Sequence, residues 1–139
     1  SQATLEQNID AGKYTLHRVG PEVRVLMDIN SLTDTSAEKG EIFRENQTIR
    51  VIDAIANDIA TLFNTKYLGK IPNNAAGRVS LWTDIVKHHK ELERISAIEN
   101  FDESRVSVEA GDTKRGVVVN DVITIVNAMG HLYMTCIVQ

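Results

Sequence analysis

The chain has 139 residues, 42% hydrophobic and 24% charged, the proportions of one globular domain and not of a disordered tract. Fifteen Lys and Arg stand against 19 Asp and Glu, and a formal net charge of −4 argues against phosphate-driven nucleic-acid binding. No apolar run approaches the ~20 residues of a membrane span, and a lone cysteine, Cys136, excludes an internal disulfide framework.

Residues 1–11 read as a short helix, with Thr4 and Gln7 in a capping-box spacing and Gly12 behind it. Two alternating runs follow, Lys13–Arg18 and Val23–Ile29, and the Gly20-Pro21 between them signals a hairpin. Asn30–Gly40 is polar, carries Ser31, Thr33, Asp34, Thr35 and Ser36, and reads as a loop. Asp28 and Asp34 flank it without the alternation of a calcium loop, so turn chemistry is expected of them.

From about Ile42 to Tyr67 the period becomes helical. Ile52, Ile55, Ile59, Leu62 and Phe63 form one stripe, closed by Gly69 and Pro72. A second helix is expected from about Arg78 to Ile98, with Trp82, Ile85, Val86, Leu92 and Ile95 as its stripe. Beyond Asn100 the chain turns β-rich. Arg105–Glu109 alternates, Val117–Val126 is apolar on both faces like a central strand, Asn127–His131 turns, and Leu132–Val138 is a last strand. The order argues α+β: a mixed or antiparallel sheet with two main helices packed on it, in a single domain over 1–139.

Few residues offer chemistry. Asp84 and His88 are one helical turn apart and are a conceivable metal pair with Glu91, the basis of an alternative reading as a small metal-dependent enzyme. The plainer reading makes His89 a boundary residue on the apolar stripe and His88 a solvated one. Cys136 sits in an apolar run, where a free cysteine is ordinarily a small core residue. No nucleophile elbow or phosphate loop is present, and no cofactor is expected. Arg78, Lys87, Lys90 and Arg94 lie on the second helix. Lys87 with Glu91 and Lys90 with Glu93 are spaced to pair, leaving a solvated face or a docking surface for an acidic partner.

The last strand is the most telling segment. Leu132, Met134, Cys136 and Val138 face one way and Tyr133, Thr135 and Ile137 the other, with no Lys, Pro or bulge signal to protect an edge. Such a strand is central in its own sheet, or it pairs with another chain by β-augmentation. A peptide-capturing adaptor is a third reading that shares this physics.

The run Asp28-Ile29-Asn30-Ser31-Leu32 after a hairpin resembles a motif of contractile-tail sheath proteins. So do Asn46–Phe63, Tyr67-Leu68-Gly69-Lys70-Ile71, Asn73-Asn74, Gly77-Arg78, Ile98-Glu99-Asn100-Phe101-Asp102 and Leu132-Tyr133-Met134-Thr135. In that order they look like the C-terminal domain of phage tail sheath proteins of the Gram-positive myophage and PBSX-like defective-prophage type, over roughly residues 10 to 138. The resemblance implies a structural protein and not an enzyme. It implies subunits that ring a tail tube, exchange strands with neighbours and contract to drive the tube through a cell envelope. Implied partners are other sheath subunits, the tail tube protein, and a baseplate or tail terminator. The implied location is the virion tail, assembled in the host bacterial cytoplasm. Residues 131–139 become a C-terminal arm, with Leu132, Tyr133, Met134, Thr135, Cys136, Ile137 and Val138 as the inter-subunit strand. Arg78, Lys87, Lys90 and Arg94 are expected to face the tube. Sheath subunits usually run to several hundred residues, so this chain is expected to be part of a longer one.

Overall fold

A computed structural model describes residues 1–33, 36, 40–129 and 131–139. Asp34 and Thr35 of the expected loop, and Gly130 of the expected turn, lie outside the described residues. The fold is α+β as expected, with three α-helices and small antiparallel sheets among the described residues. It divides into two compact units, residues 1–50 with 127–139, and residues 51–126.

In the first unit, helix α1 spans Gln2–Asp10. Its cap is one turn earlier than the Thr4 spacing indicates, because the Ser1 hydroxyl oxygen accepts the Thr4 N–H at 3.3 Å. Gly12 has φ +69°, and a Cβ there would stand 2.9 Å from Thr33 Cγ2 and 3.0 Å from Asn30 O, so both conformation and space require glycine. Strands β1 (Thr15–Val19) and β2 (Glu22–Met27) form the hairpin, with Val19 opposite Glu22 and Leu16 opposite Val25. Gly20, at φ +61°, takes the first central position of the turn, where a II′ geometry demands positive φ.

The Asp28-Ile29-Asn30 run is pinned to residues 43–46. Asn30 N–H donates to Arg44 O at 2.8 Å and Asn46 N–H to Asp28 O at 2.9 Å. The Asn46 side-chain amide reaches Asp28 Oδ1 at 2.8 Å. Turn chemistry falls to Asn30, whose Oδ1 accepts the Leu32 N–H at 2.9 Å, and not to Asp28, which pairs with Arg50. Those donors hold the Asp28 carboxyl below the usual carboxylate range, Asn46 first and Arg50 second.

Helix α2 runs Asn46–Leu62, and a π-helical turn, Phe63–Tyr67, completes it. In the second unit, helix α3 spans Ala75–Arg94. Its cap is Asn74, whose Oδ1 accepts the Gly77 N–H at 2.8 Å. The helix stops at Arg94, short of the expected Ile98, and Ser96 beyond it has φ +61°. Tyr67, Leu81, Ile85, Val86 and Val106 are the buried core, with Ile59, Leu62, Phe63 and Trp82 packed on it. Both helical stripes thus turn inward as the period requires, except at Ile95, which lies past the end of α3 and is exposed.

The expected central strand Val117–Val126 is two strands. β5 (Val117–Asn120) pairs with β4 (Ser107–Ala110), whereas β6 (Thr124–Ile125) pairs with β3 (Ile98–Glu99). The break falls at Asp121, a poor strand former whose carboxylate is bound to His89 instead of pointing into solvent. The expected last strand, Leu132–Val138, has no ladder among the described residues.

Candidate functional site

The C-terminal segment is apolar and uncovered. Leu132, Tyr133, Met134, Ile137 and Val138 are 86%, 91%, 77%, 81% and 89% exposed. Cys136 is exposed too, so it is not the small core residue expected. Singly exposed apolar residues are ordinary, but a contiguous run of β-formers in water marks a surface that binds something. Within this chain the segment is not a central strand, because none of the described strands pairs with it.

The second unit offers an open strand edge. Among the described residues β5 pairs with β4 alone. Beside β5 lies a groove of about 580 Å³, lined by Ile55, Ile59 and Phe63 of the α2 region, Ile85 of α3, and Val117 and Val119. An unpaired edge beside an apolar trough is the geometry that accepts an added strand: backbone groups supply hydrogen bonds and the trough takes alternate side chains.

Three of the four basic residues of α3 are engaged within their own unit. Arg94 makes a bidentate pair with Glu91, at 2.8 and 2.6 Å. Lys90 meets Glu103 at 2.6 Å. Arg78 Nη1 donates to Asn73 Oδ1 at 3.0 Å. Lys87 is exposed. The pairs expected from spacing alone, Lys87 with Glu91 and Lys90 with Glu93, are replaced by these. Glu93 instead accepts the Phe101 N–H at 2.7 Å.

The conceivable metal set does not assemble. Asp84 accepts from Lys66 Nζ at 2.6 Å and from the Tyr67 hydroxyl, His88 Nε2 contacts Asp58 at 2.8 Å, and Glu91 is taken by Arg94. No group of three or more His, Cys, Asp or Glu in metal-holding geometry occurs among the described residues. His89 is fully buried and bonded to Asp121 through Nε2, with Phe101 edge-on at 5.3 Å. The His88 side chain is mostly covered, 21% exposed, and not simply solvated. Sequence spacing carries no signal for these partners, since Asp58 and Asp121 lie 30 and 32 positions away.

Burial works against the Asp84 carboxylate, but the Lys66 ammonium and the Tyr67 hydroxyl outweigh it and hold its pKa below the usual range. A depressed carboxyl stabilises the fold above its unfolded pKa, and that contribution is lost as pH falls through the folded value. Asp84→Asn is therefore expected to cost about 1–2 kcal/mol near neutral pH, and the gap from wild type should close in acid. Urea unfolding across a pH series checks this; a gap independent of pH rejects it.

Comparisons with known proteins agree on one family. Residues 38–139 match the family model described as "Phage tail sheath C-terminal domain". The chain is 31% identical over 99 residues to the tail sheath protein of Clostridium phage phiCD119, covering 71% of this chain and 28% of that protein. It is 27% identical over 139 residues to the phage-like element PBSX protein XkdK of Bacillus subtilis, covering 94% of this chain and 30% of that one. Among solved structures, the sheath tail protein of Listeria innocua aligns with a TM-score of 0.76 at 27% identity, over 92% of this chain and 31% of that one. The sheath tail protein of Desulfitobacterium hafniense aligns with a TM-score of 0.74 at 27% identity, over 91% and 32%. The chain therefore spans about a third or less of the length of each of these four proteins.

Proposed function

Because the chain belongs to the phage tail sheath C-terminal domain family, a structural family and not an enzymatic one, we propose that it is the self-associating module of a contractile tail sheath. In this reading residues 131–139 are an arm. The strand Leu132–Val138 leaves its own subunit and adds to the open edge of β5 in a neighbouring copy, its apolar side chains entering the groove. The observation that carries this is the exposure of the segment in the single chain.

Magnitudes favour a lattice over an isolated pair. Burying Leu132, Met134 and Val138 yields about 1.5–3 kcal/mol each, while association costs about 4–15 kcal/mol. One exchange is barely favourable; many exchanges around a ring reinforce one another. Backbone ladders between chains also survive rotation of whole subunits, because the arm hinges on its linker. That suits a sheath that contracts to push a tube through an envelope as part of the virion tail, built in the host cytoplasm. The tube, and a baseplate or terminator at the ends, are the further partners. Lys87, with Arg78, Lys90 and Arg94 around it, is the surface proposed to meet the tube.

Light scattering on this chain and on a version ending at Gly130 tests the arm. The full chain should associate in a concentration-dependent way, and the shortened one should be a folded monomer. A second variant localises the contact: Val119→Cys should crosslink to Cys136 of another copy under mild oxidation. A full chain that stays monomeric at every concentration, or a shortened chain that associates equally, sinks the proposal.

A further inference from the structure

The groove beside β5 has two electrically different ends. Phe63, Leu81 and Val117 line it and also line a second pocket, of about 210 Å³. Arg78, Lys114 and Arg115 stand around that pocket, and no carboxylate does. One residue holds these cations in place. The Asn73 side-chain amide donates to Lys114 O at 3.0 Å and to Gly116 O at 2.8 Å, and its Oδ1 accepts from Arg78 Nη1 at 3.0 Å. Lys114 and Arg115 make no ion pair among the described residues. Glu109 and Asp112, the acidic residues nearest in sequence, are exposed and line neither cavity. At the other end of the groove stands Asp121. The groove therefore runs from positive at Val117 to negative at Asp121.

The C-terminal arm is unequal along its length too. Leu132–Val138 carries no charged side chain. Its base does sit among charges: His131 lines a groove of the first unit, about 650 Å³, together with Glu6 and Asp10 of α1. Neither carboxylate is in an ion pair among the described residues. Glu6 accepts from the Gln2 amide at 2.9 Å, and Arg44 donates to Ile9 O at 3.1 Å and to neither of them. Asp10 also ends α1, where the last carbonyls make the negative pole of the helix. The arm thus leaves its subunit beside two carboxylates and reaches Val138 without meeting another charge.

We infer that the arm of one copy lies parallel to β5 of its neighbour, so that Glu6 and Asp10 at its base meet Lys114 and Arg115 of that neighbour. Direction and this second contact are added to the arm proposed above, on which they rest. Register separates the two directions. With Cys136 beside Val119, a parallel arm sets Met134 beside Val117 and Leu132 beside Arg115. An antiparallel arm sets Val138 beside Val117 and Leu132 beside Ile123, which carries the two carboxylates of the base to Asp121. Like charges then face each other at one end, and the cations are left unanswered at the other. Parallel ladders are slightly less stable per residue, so backbone pairing does not choose this direction. The charges choose it, with Arg78 adding to the field behind Lys114 and Arg115. Exposed pairs are individually weak, so they orient the arm while its backbone and apolar side chains hold it.

Carbodiimide coupling joins an amine to a carboxylate only where the two touch. Applied to a mixture of ¹⁵N-labelled and unlabelled full chains, it should give peptides that link Lys114 of one isotope to Glu6 or Asp10 of the other, read by mass spectrometry. Lys114→Glu with Arg115→Glu should weaken association about tenfold at low salt. Adding Glu6→Lys with Asp10→Lys to the same chain should restore it. All four residues are exposed, so these variants are expected to fold. The two readings fail differently. If the Val119→Cys link to Cys136 forms while no mixed-isotope Lys114 link appears, or if the fourfold reversal does not restore association, the arm stands and its direction is overturned. A chain that never associates overturns both.

Discussion

Gly77→Ala is expected to destabilise the second unit by about 2–4 kcal/mol, from overpacking together with damage to a helix cap. The sign is informative, because alanine in a helix is ordinarily about 1 kcal/mol better than glycine. Gly77 lies in the first turn of α3, and a Cβ there would fall 2.0 Å from Pro72 O and 3.2 Å from Ile71 Cγ2. The first of these is backbone and does not rotate away, so the turn before the helix has to move. That turn is well anchored: Asn73 Nδ2 donates to Gly116 O at 2.8 Å and to Lys114 O at 3.0 Å, and Asn74 caps the helix. Relieving the clash weakens one or more of these bonds. Urea unfolding at equilibrium measures the loss, and an alanine variant as stable as the parent refutes the packing argument.

Ile85→Ala is expected to cost about 3–4 kcal/mol, the range for emptying a buried aliphatic site that cannot collapse. Ile85 is 1% exposed and sits among Leu81, Val86 and Val106. Ile95 belongs to the same predicted stripe yet is 56% exposed, so Ile95→Ala should cost less than about 0.5 kcal/mol. Thermal or urea unfolding of the two variants side by side tests the contrast. Equal losses would mean that the end of α3 is covered as deeply as its middle.

That contrast shows what the sequence can and cannot disclose. The periodicity of Ile59, Leu62, Phe63, Ile85 and Val86 specifies an inward face whatever the partner is, so the two long helices are legible. Gly20-Pro21 is legible because few residues accept the backbone it needs. Ile95 is misjudged because a stripe does not announce where a helix stops; Ser96, at positive φ, ends it. The run Val117–Val126 misleads for a deeper reason. Hydrophobicity sets it as strand but cannot say which neighbour each half pairs with, and that choice depends on Asp121 reaching His89. The ion pairs of α3 go the same way. Local spacing selects Lys90 with Glu93, whereas the folded chain brings Glu103 to Lys90. At Leu132–Val138 the alternation reads as strand, yet the segment has no ladder among the described residues, because alternation does not name the neighbour a strand needs.

Trp82 is the single tryptophan of the chain. Its indole N–H donates to Val106 O at 2.9 Å, and its ring packs on the core. The tryptophan emission of this protein therefore comes from one place, where α3 meets the segment leading into β4. Its wavelength follows the wetting of that indole and its intensity follows the same local event. A fluorescence melt excited at the tryptophan band consequently reports the surroundings of Trp82 within residues 51–126.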